Sequence, residues 1–312
     1  NTPIVELTKT VPQGKHRFFA KLEYLNPGLS VKDRVALAII EGAEARGDLK
    51  PGGTIVEATS GNTGVGLAMV AALKGYKAIF IMPEKMSVEK RATLKGYGAE
   101  LVLTPNGVEP DDPRSHYSVA KKIAAETPGS FYTNQFHNMD NPAQHYKTTG
   151  PEIWDQMDGK VDLFVGGAGT GGTISGVGKF LKEKNPDVKI VCNDPVGSIL
   201  YDLFYHGEVR TPPGSYQVEG IGEDMMPSCL QFEYIDDFVQ VNDKESFKLC
   251  RELTRKEGMM IGPSSASALA GAIKYSEKLE KPSNIVVMFA DNGTKYLSKT
   301  FNDEWLKEQD IL

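Results

Sequence analysis

The chain is poor in the features that would stabilise a small or secreted fold. Only three cysteines occur in 312 residues, Cys192, Cys229 and Cys250, and none is close to another. An odd, scattered set without CxxC spacing argues against a disulfide framework or a thiolate zinc site. The three read as reduced thiols packed as small hydrophobes, the expectation for a cytoplasmic protein. The five histidines form no ligand set. His137 and His145 have no HExxH pattern or cysteine beside them, so no metal is expected. No apolar run approaches the ~18 residues of a membrane span, and no signal-peptide pattern is visible. No block of like charge stands out, and the net charge is −6. That balance weighs against nucleic acid or an anionic membrane as a partner. Internal repeats and low-complexity tracts are also lacking.

What is present is ordinary globular composition, 40% hydrophobic and 24% charged, at a length that suits one large or two medium domains. A core of that size needs no metal or disulfide. Apolar runs alternate with helical patterns. Strands are expected at 17–23, 54–58, 77–82, 100–104, 161–166, 188–193 and 284–289. Helices are expected near 30–46, 63–75, 87–96, 115–126, 141–157, 172–184, 243–257, 264–279 and 293–308. Several strand runs are continuously apolar, the pattern of strands covered on both faces. The fold class is therefore α/β, with two lobes built on mostly parallel sheets. The segment 195–235, rich in proline and scattered aromatics, breaks the rhythm and reads as an ordered, partly buried excursion.

Two glycine-rich loops follow strands. The first is EATSGNTGVG, 57–66; the second is FVGGAGTGGTISG, 164–176. A glycine turn that opens a helix offers free N–H groups and the positive end of the helix dipole to an anion. In the second loop Gly167, Gly169 and Gly172 fit G-x-G-x-x-G, and Asp194 ends the next apolar run. Taken alone, that loop suits a dinucleotide, another phosphate or a packing turn. The first loop has no Walker lysine; its asparagine and hydroxyls suit a carboxylate or phenolate. A third element is NPGLSVKDR, 26–34, where Ser30 is placed to cap a helix whose first turn holds Lys32. A solvated surface lysine is the simpler reading of those residues. The alternative is an amine whose pKa the helix dipole lowers for covalent catalysis.

In order along the chain stand NPGLSVKDR, EATSGNTGVGLA, GAGTGGTISG and GPSSAS. In this the sequence resembles, from end to end, the β-replacement enzymes that use pyridoxal 5'-phosphate on the tryptophan-synthase-β-like fold, fold type II. The resemblance implies that Lys32 carries the cofactor and acts as the catalytic residue. It implies that Gly169, Thr170, Gly171, Gly172 and Thr173 hold the phosphate, that Asn62 faces the pyridine 3′-oxygen, and that Ser264 faces the pyridine nitrogen. Thr59, Ser60, Thr63 and Gln135 would bind the substrate carboxylate. It further implies a larger cofactor-binding lobe of 1–39 and 145–312, a smaller mobile lobe of 40–144, and a homodimer.

Within that group, PEKMSVEK (83–90), NPAQHYKTTGPEIW (141–154) and YQVEGIGED (216–224) are more similar to the cystathionine β-synthases than to the cysteine synthases. The implied reaction condenses L-serine or O-acetylserine with homocysteine through an aminoacrylate. The alternatives are sulfide as acceptor, giving cysteine, or a related β-lyase or lanthionine-forming activity. Neither a haem-binding segment nor paired nucleotide-sensing modules falls within these residues. Leu29, Pro263 and Ala266 depart from glycines common in the family, and Glu223 stands where some synthases carry tyrosine. A nicotinamide oxidoreductase and a catalytically silent peptide-binding homologue are the readings from other classes. A neutral Ser264 makes chemical sense, because a hydroxyl leaves the pyridine nitrogen unprotonated and weakens the electron sink. A helix N-cap is its structural alternative.

Overall fold

The computed structural model describes residues 1–59, 61–84, 86, 88–108 and 112–312. Its strands are β1 (Ile4–Leu7), β2 (Arg17–Leu22), β3 (Thr54–Ala58), β4 (Lys77–Pro83), β5 (Glu100–Thr104), β6 (Ser130–Tyr132), β7 (Leu163–Gly167), β8 (Lys189–Pro195), β9 (Asp237–Val241) and β10 (Asn284–Phe289). Its helices are α1 (Lys32–Arg46), α2 (Asn62–Lys74), α3 (Val88–Gly96), α4 (His116–Glu126), α5 (Asp140–Lys147), α6 (Thr149–Gln156), α7 (Gly172–Lys184), α8 (Leu200–His206), α9 (Asp243–Lys256), α10 (Pro263–Ser276) and α11 (Asp303–Glu308). Internal contacts divide the chain into two compact units, Asn1–Leu25 with Pro142–Leu312, and Asn26–Asn141. The boundaries drawn from sequence lay at 39/40 and 144/145; the contact division groups α1 with the smaller unit.

The larger unit holds a six-stranded sheet in the order β1-β2-β10-β7-β8-β9. All its pairings are parallel except β1 with β2. Alternate residues of each strand enter two separate cores. Leu163, Val165, Ile285, Val287 and Phe289 pack with α9 and α10. Phe164, Val286 and Met288 pack with α6 and α7. This period of two explains the continuous apolar runs: both faces of the sheet are covered. From β7 the chain moves to β8 and β9 on one side, and then crosses back to place β10 on the other. Strand order reverses at β7, the kind of position where open α/β sheets bind ligands at their carboxyl edge.

The smaller unit is a fully parallel four-stranded sheet, β5-β4-β3-β6. Ile55, Phe80 and Met82 pack against α1 and α2, and Val56, Ala58 and Ile81 against α4. Within α1, Val35, Ala36, Ile39, Ile40 and Ala43 form the buried stripe, and Gly47 ends the helix at φ +79°.

Several elements differ from the sequence expectation. Strands β1, β6 and β9 and helix α8 were not anticipated; they are short and mixed in polarity, and pairing or packing across the fold holds them. The single helix expected over 141–157 is two, broken at Thr148, whose hydroxyl donates to the Gln144 carbonyl at 2.8 Å. The helix expected over 293–308 is a 3₁₀ turn at Gly293–Tyr296 and the short α11, which starts at an Asn302 cap. The excursion after β8 contains α8 and long irregular stretches.

Candidate active site

In the smaller unit the first residues of two packed helices carry predicted site groups. Lys32 opens α1 and Asn62 opens α2. A Cβ at Gly66, one turn into α2, would lie 2.9 Å from the Lys32 carbonyl oxygen and 2.9 Å from Ala36 Cβ. Glycine therefore sets how closely the two helix starts approach. The turn before Lys32 is built locally. Asn26 Nδ2 donates to the Ser30 carbonyl at 3.1 Å, and Gly28 N–H donates to Asp33 Oδ2 at 2.6 Å. Leu29 sits at φ +60°, a left-handed conformation that favours glycine over a branched side chain. Ser30 is not the cap residue. Val31 occupies that position in helical geometry without a side-chain cap, and Ser30 Oγ accepts the Lys32 N–H at 3.3 Å.

The TSGNTG loop leaves β3 and enters α2. Thr59 Oγ1 accepts N–H groups from Gly61 at 3.3 Å and Gly64 at 3.1 Å. Thr63 donates to Gln135 Oε1 at 2.5 Å, so the structure brings these two predicted carboxylate ligands together from 72 residues apart. Ser60 lies outside the described residues. Beneath the loop is Glu57, buried in β3. Its carboxylate accepts from the Thr133 hydroxyl, from Gln135 N–H at 3.1 Å and from Ala58 N–H at 2.8 Å. Burial nevertheless pushes its pKa up to about 7.

In the larger unit, β7 runs into the GTGGT loop and then α7. Gly171 is the N-cap at φ +79°, with no side-chain cap, and Thr170 Oγ1 accepts a long contact from Gly172 N–H at 3.4 Å. The first N–H groups of a 13-residue helix have no intrahelical partner, so this glycine turn is suited to an anion. The loop is hemmed in behind. A Cβ at Gly169 would lie 2.7 Å from the Gly220 carbonyl oxygen, and one at Gly171 would lie 2.4 Å from Leu230 Cβ. Such a small, donor-lined cradle fits a phosphate monoester. Thr173 Oγ1 lies 3.1 Å from His145 Nε2.

Ser264 is the second residue of α10, after Pro263; the N-cap is Gly262, so the capping role considered for Ser264 is not the observed one. The residue is buried, and its hydroxyl makes no hydrogen bond among the described residues. The next residue, Ser265, accepts Ala290 N–H at 2.9 Å. This ties the start of α10 to the end of β10, which pairs with β7. Ser264 and the GTGGT loop therefore share one carboxyl edge of the sheet. Asp194 is no ribose ligand. It is buried at the end of β8, accepts Tyr201 N–H at 3.0 Å near the start of α8, and is pushed up to about 7 by burial.

These features define a cofactor enzyme, and the comparisons agree. Residues 1–291 match the pyridoxal-phosphate dependent enzymes, and the chain belongs to that family. Pyridoxal 5'-phosphate is accordingly its cofactor. Over 314 residues and all of this chain, it is 45% identical to the cystathionine beta-synthases of Apis mellifera and Mus musculus. It is likewise 45% identical, over 324 residues, to that of Saccharomyces cerevisiae. The chain spans 62%, 56% and 63% of those three proteins. Two solved structures share the fold. A hydrogen sulfide-producing enzyme from Fusobacterium nucleatum superposes with a TM-score of 0.86 at 37% identity, covering 95% of this chain and 94% of that one. O-ureido-L-serine synthase superposes with a TM-score of 0.88 at 36% identity, covering 98% and 96%.

Sequence reasoning missed two buried groups, Glu57 and His145. An acid inside the buried run TIVEA was a usable signal for the first. The second had none, because its partners come from other helices.

Proposed function

We propose that this chain catalyses a β-replacement that joins L-serine or O-acetylserine to homocysteine and forms cystathionine. The observation that carries the reading is its 45% identity, across its whole length, to proteins named cystathionine beta-synthase. Bound pyridoxal phosphate supplies an electron sink for the pair released at the substrate α-carbon. The residues divide the remaining work. Gly169, Thr170, Gly171, Gly172 and Thr173 hold the phosphate with backbone N–H groups and hydroxyls. Asn62 donates to the 3′-oxygen, and Ser264 offers the ring nitrogen a neutral hydroxyl instead of a carboxylate. Thr59, Ser60, Thr63 and Gln135 bind the substrate carboxylate and fix which bond at the α-carbon is aligned for cleavage. Lys32 Nζ would hold the cofactor at rest; once the substrate amine displaces it, the freed amine takes the α-proton as general base and gives a proton to the departing hydroxyl. The homocysteine sulfur then adds at the β-carbon, and the proton its thiol loses returns to the α-carbon through Lys32. The reading extends to a cytoplasmic homodimer, on the family resemblance and the three free, buried cysteines.

The structural neighbours favour a second reading in the same class. One is titled a hydrogen sulfide-producing enzyme and one an O-ureido-L-serine synthase, so sulfide or another small nucleophile is the alternative acceptor. Four assays separate them: serine or O-acetylserine, each with homocysteine or with sulfide, compared by kcat/KM. The first reading requires the best value with homocysteine. Turnover with sulfide alone would overturn it.

A further inference from the structure

His145 is fully buried on α5, and both its ring nitrogens are engaged by threonine hydroxyls. Nε2 lies 3.1 Å from Thr173 Oγ1, and Nδ1 lies 2.8 Å from Thr149 Oγ1. The approach depends on Gly176, one turn beyond Thr173 on α7. A Cβ there would lie 2.2 Å from the Pro142 carbonyl oxygen and 2.7 Å from His145 Cβ. Only a hydrogen at 176 lets α5 press against α7 and bring the imidazole to Thr173.

Proton counting then gives the arrangement a direction. A neutral imidazole has one N–H and one bare nitrogen, and each threonine hydroxyl has one proton to give. A phosphate dianion only accepts. If Thr173 gives its proton to phosphate, its oxygen must accept from the ring, which requires the proton on Nε2. Nδ1 is then bare and must accept from Thr149. The opposite tautomer would spend the Thr173 proton on His145 and leave the phosphate facing lone pairs.

We propose that His145 is a positioning residue that, held in its Nε2–H tautomer by Thr149, orients the Thr173 hydroxyl as a donor to the cofactor phosphate. The proposal rests on the reading of the GTGGT loop as the phosphate cradle. It assigns a one-way chain, Thr149 to His145 to Thr173 to phosphate, assembled from three helices.

The test uses full-length apoprotein titrated with pyridoxal 5'-phosphate and, separately, with pyridoxal, which has the same aldehyde but no phosphate. A hydrogen bond to a charged group is worth ~1.5–3 kcal/mol, so Thr173→Val should raise the Kd of pyridoxal phosphate about 10–100-fold. Pyridoxal affinity should not move. His145→Leu should raise the phosphate-specific Kd about tenfold, within the range seen when supporting residues are lost. His145→Gln, which restores a donor, should recover most of it. Histidine-selective ¹⁵N labelling of the wild-type holoenzyme should show the His145 proton on Nε2. Thr149→Val should shift that ring toward a tautomer mixture and weaken pyridoxal phosphate several-fold; these two measurements carry the test should His145→Leu not fold. A proton on Nδ1 in the wild type would overturn the proposal. So would a His145→Leu effect equal for the two ligands, which is what mere packing gives. Selective weakening by Thr173→Val but not by His145→Leu would sink the proposal and leave the cradle standing. No selectivity in Thr173→Val would sink the cradle reading, and the proposal with it.

Discussion

Replacing Glu57 by glutamine should change how stability depends on pH. In the folded chain, burial pushes the Glu57 carboxyl up to about 7, from an ordinary value of 4.5, against three hydrogen bonds that pull it down. The unfolded chain therefore ionises first as pH rises. Stability attributable to this group is fully present below about 4.5, falls as pH climbs toward 7, and is level above that. At ~1.4 kcal/mol per pH unit, the full loss comes to about 3 kcal/mol. Between pH 5 and pH 8 the wild type should lose about 2.5 kcal/mol from Glu57, since part of the loss precedes pH 5. Glutamine keeps the shape and cannot ionise, so that contribution vanishes. Its amide sets N–H groups against at least one of the donors Ala58 N–H, Gln135 N–H and Thr133 Oγ1–H, a defect of about 1–3 kcal/mol that does not vary with pH. Asp194, also pushed up to about 7, contributes equally to both proteins and cancels. Urea unfolding followed by far-ultraviolet ellipticity at pH 5, 6, 7 and 8 measures the difference. Glu57→Gln should gain about 2.5 kcal/mol on the wild type across that range. Parallel pH profiles would refute the assignment and mean that Glu57 folds already ionised.

Three further changes probe other parts of the argument. Lys32→Ala should lower kcat/KM by at least the ~10²–10⁴-fold expected for loss of a general base, with the fold kept by circular dichroism; parent-like turnover would remove Lys32 from the mechanism. Gly171→Ala places a Cβ at φ +79° and 2.4 Å from Leu230 Cβ, so it should destabilise by about 1–3 kcal/mol in thermal unfolding and weaken binding of the cofactor. Asn242→Ala breaks the capping box in which Asn242 and Glu245 exchange bonds at 3.0 Å, and should lower stability by about 1 kcal/mol with kcat/KM unchanged.

Much of the site was legible because its parts are local. FVGG followed by AGTGGT reads as strand, turn and helix start wherever it is met, and β7 and α7 form there. Gly171 at positive φ is a property of that turn. The same holds for TIVEA before TSGNTG. Local signals also misled where neighbours decide. Ser264 looks like a cap, yet Gly262 and Pro263 start the helix two residues earlier than a serine cap would. The helix pattern over 141–157 runs on in sequence, but Thr148 leaves helical geometry at φ −127°, and Pro151 has no N–H to carry the ladder of α5 onward. Asp194 lay at a distance that suits a nucleotide fold, while in the folded chain it anchors the start of α8.

The amino-acid sequence by itself determined the class of fold and the two anion-seeking loops, because apolar period and glycine turns act through bonds a few residues long; Lys32 stood out only by resemblance to the family. Only the tertiary structure decided which groups stand behind them. Glu57 meets Thr133 and Gln135 across 76 and 78 residues. His145 meets Thr173 across 28. No local pattern encodes those pairings. They exist because two faces of each sheet are covered, and because glycines such as Gly176 let helices approach closely enough for His145 to reach Thr173.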